Sequence, residues 1–211
     1  MVMVEKKPRV RMTKEERREM LLERAIELFA ENGFDASTHQ LAEALGVTQP
    51  LIYRYFSSKE HLLEEVYTSL LEGHFKTEWS QLIADRTVPL VQRLVQFYKI
   101  YGEVTQSRTW LRLYLYSGLR SVELNRRYIK LLEKNIIRVI ASELRHELDL
   151  PPPDELSISD EELEVVWNFH TGLFYFGVRK EVFELSNMPD FAKSIERIIS
   201  VFVSGYRSQF P

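Results

Sequence analysis

The stretch from Ser37 to Lys59, STHQLAEALGVTQPLIYRYFSSK, decides the fold. Ser37 with Gln40 three residues later is a capping box, in which the serine accepts from the new helix and the glutamine reaches back to its start. Leu41, Ala42 and Leu45 then recur at helical spacing, and Gly46 stands where a left-handed C-cap needs a residue without a Cβ. The next helix has Thr48 as its N-cap and Pro50 in its first turn, where the missing amide hydrogen is no loss. Leu51, Ile52 and Phe56 supply its apolar contacts, and the spacing predicts a helix over 49–55. Ser57 with Glu60 reads as a second box opening another helix.

Two short amphipathic helices joined by a tight glycine turn are the layout of a helix-turn-helix. Its second helix carries Gln49, Pro50, Tyr53, Arg54 and Tyr55 outward, side chains able to reach base edges or phosphates in a major groove. Upstream, Thr13 with Glu16 opens a supporting helix that carries Leu21, Leu22, Ala25, Ile26, Leu28 and Phe29 and ends at Gly33. Residues 1–12 are expected to form a basic, flexible arm, and around the start of that helix Lys6, Lys7, Arg9, Arg11, Lys14, Arg17 and Arg18 stand against only Glu5, Glu15 and Glu16. Such an arm suits phosphates and would make binding salt-dependent. The overall charge of −3 points the other way, so it is the local distribution that favours nucleic acid.

With 211 residues and 45% apolar content the chain can bury a sizeable core. It has no cysteine, which excludes disulfides, thiolate metal sites and thiol nucleophiles. No apolar run approaches a membrane span and the N-terminus lacks a secretory core, so a cytoplasmic location is expected. From residue 58 onward the pattern is helical without strand alternation. One helix is expected from 58 to 82, and others near 88–106, 109–117, 121–148, 159–182 and 189–208. The prolines of LPPPDELSISDEELE mark the one clear loop, and Ser159 with Glu162 restarts a helix after it.

The last two helices carry more apolar surface than one inner face requires. Val166, Phe174 and Val178 on one, with Ile195, Ile198 and Phe202 on the other, are the expected dimer contacts. Aromatic residues crowd the middle of the chain, and Tyr98, Trp110, Tyr114, Trp167, His170 and Phe174 are the expected lining of a small-molecule pocket, since they combine bulk with a polar handle or stand next to one. The histidines (His39, His61, His74, His146 and His170) are scattered, and neither a zinc pair, a phosphate loop nor a serine elbow occurs. No catalytic residue, metal or cofactor is expected.

The run Ala25 to Tyr67 resembles the N-terminal domain of the TetR family of transcriptional regulators. The likeness is carried by Ala25, Leu28, Phe29, Gly33 and Phe34, then Leu41, Ala42, Gly46 and Val47, then Tyr53, Tyr55, Phe56, Lys59 and Leu62. It implies an all-α protein: a three-helix DNA-binding domain over 13–57, then a helical effector-binding and dimerisation domain over 58–211. It also implies that Thr38, Thr48, Tyr53, Tyr55 and Lys59 hold phosphates while His39, Gln49, Pro50 and Leu51 approach bases. His39 stands where similar proteins often have arginine. The function so implied is a homodimeric repressor that binds a pseudo-palindromic double-stranded operator and is released by a small-molecule effector. An architectural DNA-binding protein without an effector, and a small helical enzyme, are the alternatives.

Overall fold

The structure, a computed structural model, describes residues 12–73, 75–120 and 122–209. The basic arm therefore lies outside the described residues except for Met12, as does His74. Every regular element among the described residues is helical. The chain divides into two compact units, 1–66 and 67–211. That division falls later than the boundary expected after residue 57, because Leu62, Leu63 and Val66 are buried and belong to the first unit.

The first unit holds α1 (Lys14–Asn32), α2 (Thr38–Leu45), α3 (Gln49–Tyr53) and most of α4 (Lys59–Tyr67). Both boxes expected at the starts of α1 and α2 form: Thr13 with Glu16, and Ser37 with Gln40. Gly46 closes α2 at φ 61°, the left-handed conformation that a side chain would strain. Leu21, Ala25 and Phe29 of α1 share a buried core with Leu41, Ala42, Ile52 and Phe56. Phe34 seals it with its ring edge-on to Phe29, centroids 6.0 Å apart. The Arg18 guanidinium sits 5.3 Å from the centre of the Phe56 ring and pairs with Glu65 at 2.7 Å, tying the two ends of the unit.

Three local expectations are corrected here. The reading helix ends at Tyr53 and not Tyr55, because the Tyr55 amide turns back to Ile52 O in a tighter turn. Thr48 occupies the N-cap of α3, but its side chain makes no capping bond. At α4 the capping residue is Ser58, whose hydroxyl accepts from the His61 amide at 3.0 Å. His61 takes the reciprocal role expected of Glu60, its Nδ1 accepting from the Ser57 amide at 3.1 Å. Ser58→Ala is therefore expected to cost about 1 kcal/mol in chemical denaturation, and Glu60→Ala close to nothing. Equal losses would restore the cap at Ser57.

The second unit begins at Tyr67. After α4 a π-type turn, Thr68–Glu72, takes the Gly73 amide to Thr68 O at 2.7 Å. At Gly73 a Cβ would stand 2.8 Å from Ser69 O, so this exit fits glycine. The single helix expected over 58–82 is thus two, with α5 (Glu78–Ala84) following. The rest are α6 (Leu90–Thr105), α7 (Arg108–Arg120), α8 (Val122–Leu132), α9 (Arg138–Glu147), α10 (Asp160–Gly177) and α11 (Phe191–Gln209). A π turn at Glu133–Ile137 joins α8 to α9, and another at Val178–Val182 extends α10.

In this unit α6 lies in the middle, burying Leu94, Phe97, Tyr98 and Tyr101 among α5, α9 and α11. Two charged clusters sit within the packing. Arg93 is buried and pairs with Glu143 at 2.7 Å while also donating to Ile83 O; Arg86 reaches the other oxygen of Glu143 at 3.0 Å. Ser159 caps α10 as expected, but the Glu162 side chain turns inward to a second cluster with Arg145.

Candidate nucleic-acid interface and ligand cavity

In the first unit the two reading helices are joined by a polar contact as well as by their core. Thr38, the first residue of α2, is buried, and its Oγ1 accepts from Gln49 Nε2 at 2.8 Å and lies 3.1 Å from the Tyr53 hydroxyl. One hydroxyl therefore sets the orientation of a side chain at each end of α3. Thr38, expected to hold a phosphate, has its hydroxyl engaged within the head. Thr48, Pro50, Tyr53 and Arg54 are exposed beside it, with Gln49, Leu51, Tyr55 and Lys59 half-buried. Exposed His39, on α2, has its Nδ1 3.6 Å from Glu43. All ten expected contact residues thus lie on α2, on α3 with its N-cap and its exit, or at the start of α4, and only Thr38 is withdrawn from solvent.

The second unit contains a cavity of about 150 Å³. The structure brings all six expected pocket residues to it: Tyr98, Trp110, Tyr114, Trp167, His170 and Phe174. It adds Tyr101, Gln106, Tyr128, Thr171, Leu173 and Phe191, among others. Tyr101 was within reach of sequence reasoning, since it follows Tyr98 by one helical turn on the same face. Tyr128 was not, because nothing in its own helix distinguishes it from other half-apolar positions.

The walls are flat rings. Trp110 and Tyr114 stack with centroids 5.1 Å apart at 8°, and Phe174 meets Tyr114 edge-on at 5.2 Å. At the back runs a chain of polar groups: Tyr98 OH to His170 Nδ1 at 3.1 Å, His170 Nε2 to Tyr101 OH at 3.5 Å, and Tyr101 OH to Tyr128 OH at 2.9 Å. Burial depresses the His170 imidazole from its ordinary 6.5 to about 4, so it is neutral at pH 7. Burial also pushes the Tyr98, Tyr101 and Tyr128 hydroxyls upward, so all three keep their protons. The lining holds no Lys, Arg, Asp or Glu.

Of the six expected dimer contacts, three are taken up by the chain's own core. Val166, Val178 and Ile195 are buried within this single chain, and Phe174 lines the cavity. Ile198 and Phe202 are half-buried against the same core, Phe202 stacking on Phe169 at 4.0 Å. The most apolar stripe of each helix goes to the chain's own core first. What α10 and α11 leave outward is Val165, Tyr175 and Val201, the last 67% exposed.

No helix among the described residues is long and apolar enough to cross a membrane, and no group of His, Asp and Glu among them could hold a metal ion. The four-helix head and helical second unit define a class of helix-turn-helix protein with a cavity-bearing helical domain. Residues 21–66 match the sequence model of the bacterial regulatory proteins of the tetR family. Over those residues the chain is similar to that family. Over 93 residues the chain is 35% identical to the HTH-type transcriptional repressor KstR2 of Mycolicibacterium smegmatis, covering 44% of each protein. It thus spans less than half the length of that relative. In fold it resembles a TetR-like transcriptional regulator from Rhodococcus sp. RHA1, with a TM-score of 0.69, 16% identity, and 92% and 100% of the two chains covered. It also resembles the ketosteroid transcriptional regulator KstR2 of Mycobacterium tuberculosis, with a TM-score of 0.62, 18% identity, and 92% and 96% covered.

Proposed function

We propose that this protein is a sequence-specific, cytoplasmic DNA-binding regulator, a repressor that holds a pseudo-palindromic operator as a homodimer and is released by a small molecule in the cavity. The observation that carries the reading is the junction of Thr38, Gln49 and Tyr53. It presents a short helix with its polar and aromatic side chains already oriented, so that little ordering cost remains on binding. Gln49, Pro50, Leu51 and His39 approach base edges, while Thr48, Tyr53, Arg54, Tyr55 and Lys59 hold the backbone; the basic arm over 1–12 adds sequence-independent attraction. Val165, Tyr175 and Val201, outward on the last two helices, take part in the contact between copies. Effector and operator favour different arrangements of the dimer, and each therefore weakens the binding of the other by the same factor.

The test is fluorescence anisotropy on DNA from immediately upstream of the protein's own gene, at two salt concentrations. Tyr53→Ala is expected to weaken binding to the preferred site by roughly ten- to a hundredfold, since it loses an exposed contact and frees Gln49 and Thr38. Lys59→Ala should weaken binding to all sequences alike and reduce the salt slope by about one. A Tyr53→Ala protein with full affinity would refute the placement of the reading surface. Binding that no small molecule reduces would favour an architectural role instead.

A further inference from the structure

The cavity specifies the chemistry of its occupant more closely than effector release requires. Its volume of about 150 Å³ is that of a single ring: an apolar cavity of roughly this size, engineered in another protein, takes up benzene. Its walls are ring faces and edges, with Trp110 and Tyr114 nearly parallel and Phe174 across from Tyr114, so a planar occupant makes the best contact. No lining residue is charged at neutral pH, so a carboxylate or ammonium would be buried without a counter-charge.

The polar chain adds a requirement that follows from counting protons. Tyr98, neutral His170, Tyr101 and Tyr128 bring one proton each, while the three contacts between them use one each. If Tyr98 donates to His170 Nδ1, then Nε2–H points to Tyr101, Tyr101 donates to Tyr128, and the Tyr128 hydroxyl proton is left over. If the order runs the other way, the proton left over is that of Tyr98. The contact at 3.5 Å is at the limit of a hydrogen bond, and losing it would leave two spare donors instead of one. Both end groups are buried and line the cavity, and a buried donor without an acceptor is costly.

We infer that the occupant is a small, uncharged, single-ring aromatic molecule bearing a hydroxyl or carbonyl oxygen, which accepts the surplus hydrogen bond of the Tyr98–His170–Tyr101–Tyr128 chain. This rests on reading the cavity as the effector site. It excludes two other chemistries. Long acyl chains exceed the volume, and ring acids would have to protonate or be buried as anions.

The experiment is isothermal titration calorimetry of the full chain at pH 7 with phenol, toluene, benzoate and octanoate, followed by the same four compounds in the DNA-binding assay. Phenol is expected to bind at least tenfold more tightly than toluene, and benzoate and octanoate more weakly than either. Thr171→Trp, at an exposed position of the lining, should weaken phenol without unfolding the domain. Equal affinity for phenol and toluene would overturn the proton argument, and tighter binding of benzoate or octanoate would overturn the ligand class. If none of the four binds, the inference fails, although another compound could still release DNA. If phenol binds as expected and leaves DNA affinity unchanged, the ligand class stands and the effector reading fails.

Discussion

Replacing Arg145 by alanine is expected to lower the stability of the second unit by about 3–5 kcal/mol, measured as a fall in the urea midpoint followed by tryptophan fluorescence. The guanidinium on α9 is buried and meets Glu162 of α10 through two bonds, Nε to Oε1 at 2.7 Å and Nη2 to Oε2 at 2.6 Å. Its remaining donors go to the proline loop: Nη1 to Pro151 O at 3.2 Å and to Leu156 O, and Nη2 to Ser157 O at 3.2 Å. Tyr206 of α11 completes the cluster by donating to Glu162 Oε1 at 3.0 Å. One side chain thus joins two helices and an otherwise irregular loop. Without it the Glu162 carboxylate keeps Tyr206 and loses its counter-charge in the interior. Arg145→Lys is expected to recover less than half the loss, because an ammonium cannot supply the planar fork. A loss below about 1 kcal/mol for Arg145→Ala would show that the cluster relaxes to solvent.

Acid is expected to remove about 3 kcal/mol of stability between roughly pH 6.5 and 4 through His170 alone. In the folded chain burial holds this imidazole near 4, whereas the unfolded chain takes up a proton near 6.5. The unfolded state therefore binds more protons throughout that interval. The contribution is fully present above the unfolded value and disappears as pH falls through the folded one. A second loss follows at lower pH. Burial opposes ionisation of Glu143 and Glu162, but the hydrogen bonds and charges of their arginine partners outweigh it and hold both carboxyls below their ordinary range. Their stabilisation is present above the ordinary carboxylate value and is lost as they protonate. Denaturation midpoints across this range should fall in two stages for the natural chain. A His170→Gln protein, which keeps polar groups but does not titrate, should lack the upper stage. An unchanged slope in that variant would move the effect to another group.

Features that lie within a few residues of their cause can be read along the chain. The Thr13 and Ser37 boxes, the left-handed Gly46 and the apolar spacing of Leu21, Ala25 and Phe29 each act over one or two helical turns, so α1, α2 and the turn between the reading helices were legible. Where two neighbours offered the same chemistry, as Ser57 and Ser58 do, spacing alone chose wrongly, because the cap depends on which amide the chain actually leaves free. The break at Gly73 likewise depends on a hydrogen-bond shift that no apolar pattern records.

What each apolar face meets depends on packing between distant helices. A helix announces its stripe but not its partner, so Val166, Val178 and Ile195 read as an interface yet lie in the chain's own core. The pocket aromatics could be named from bulk and polarity, since few helices carry so many. The chain of Tyr98, His170, Tyr101 and Tyr128 could not, because its members come from α6, α8 and α10 and are up to 72 residues apart. Their relation as donors and acceptors exists only once packing brings three helices to within hydrogen-bond distance. That relation is also what limits the charge and polarity of anything the cavity can hold.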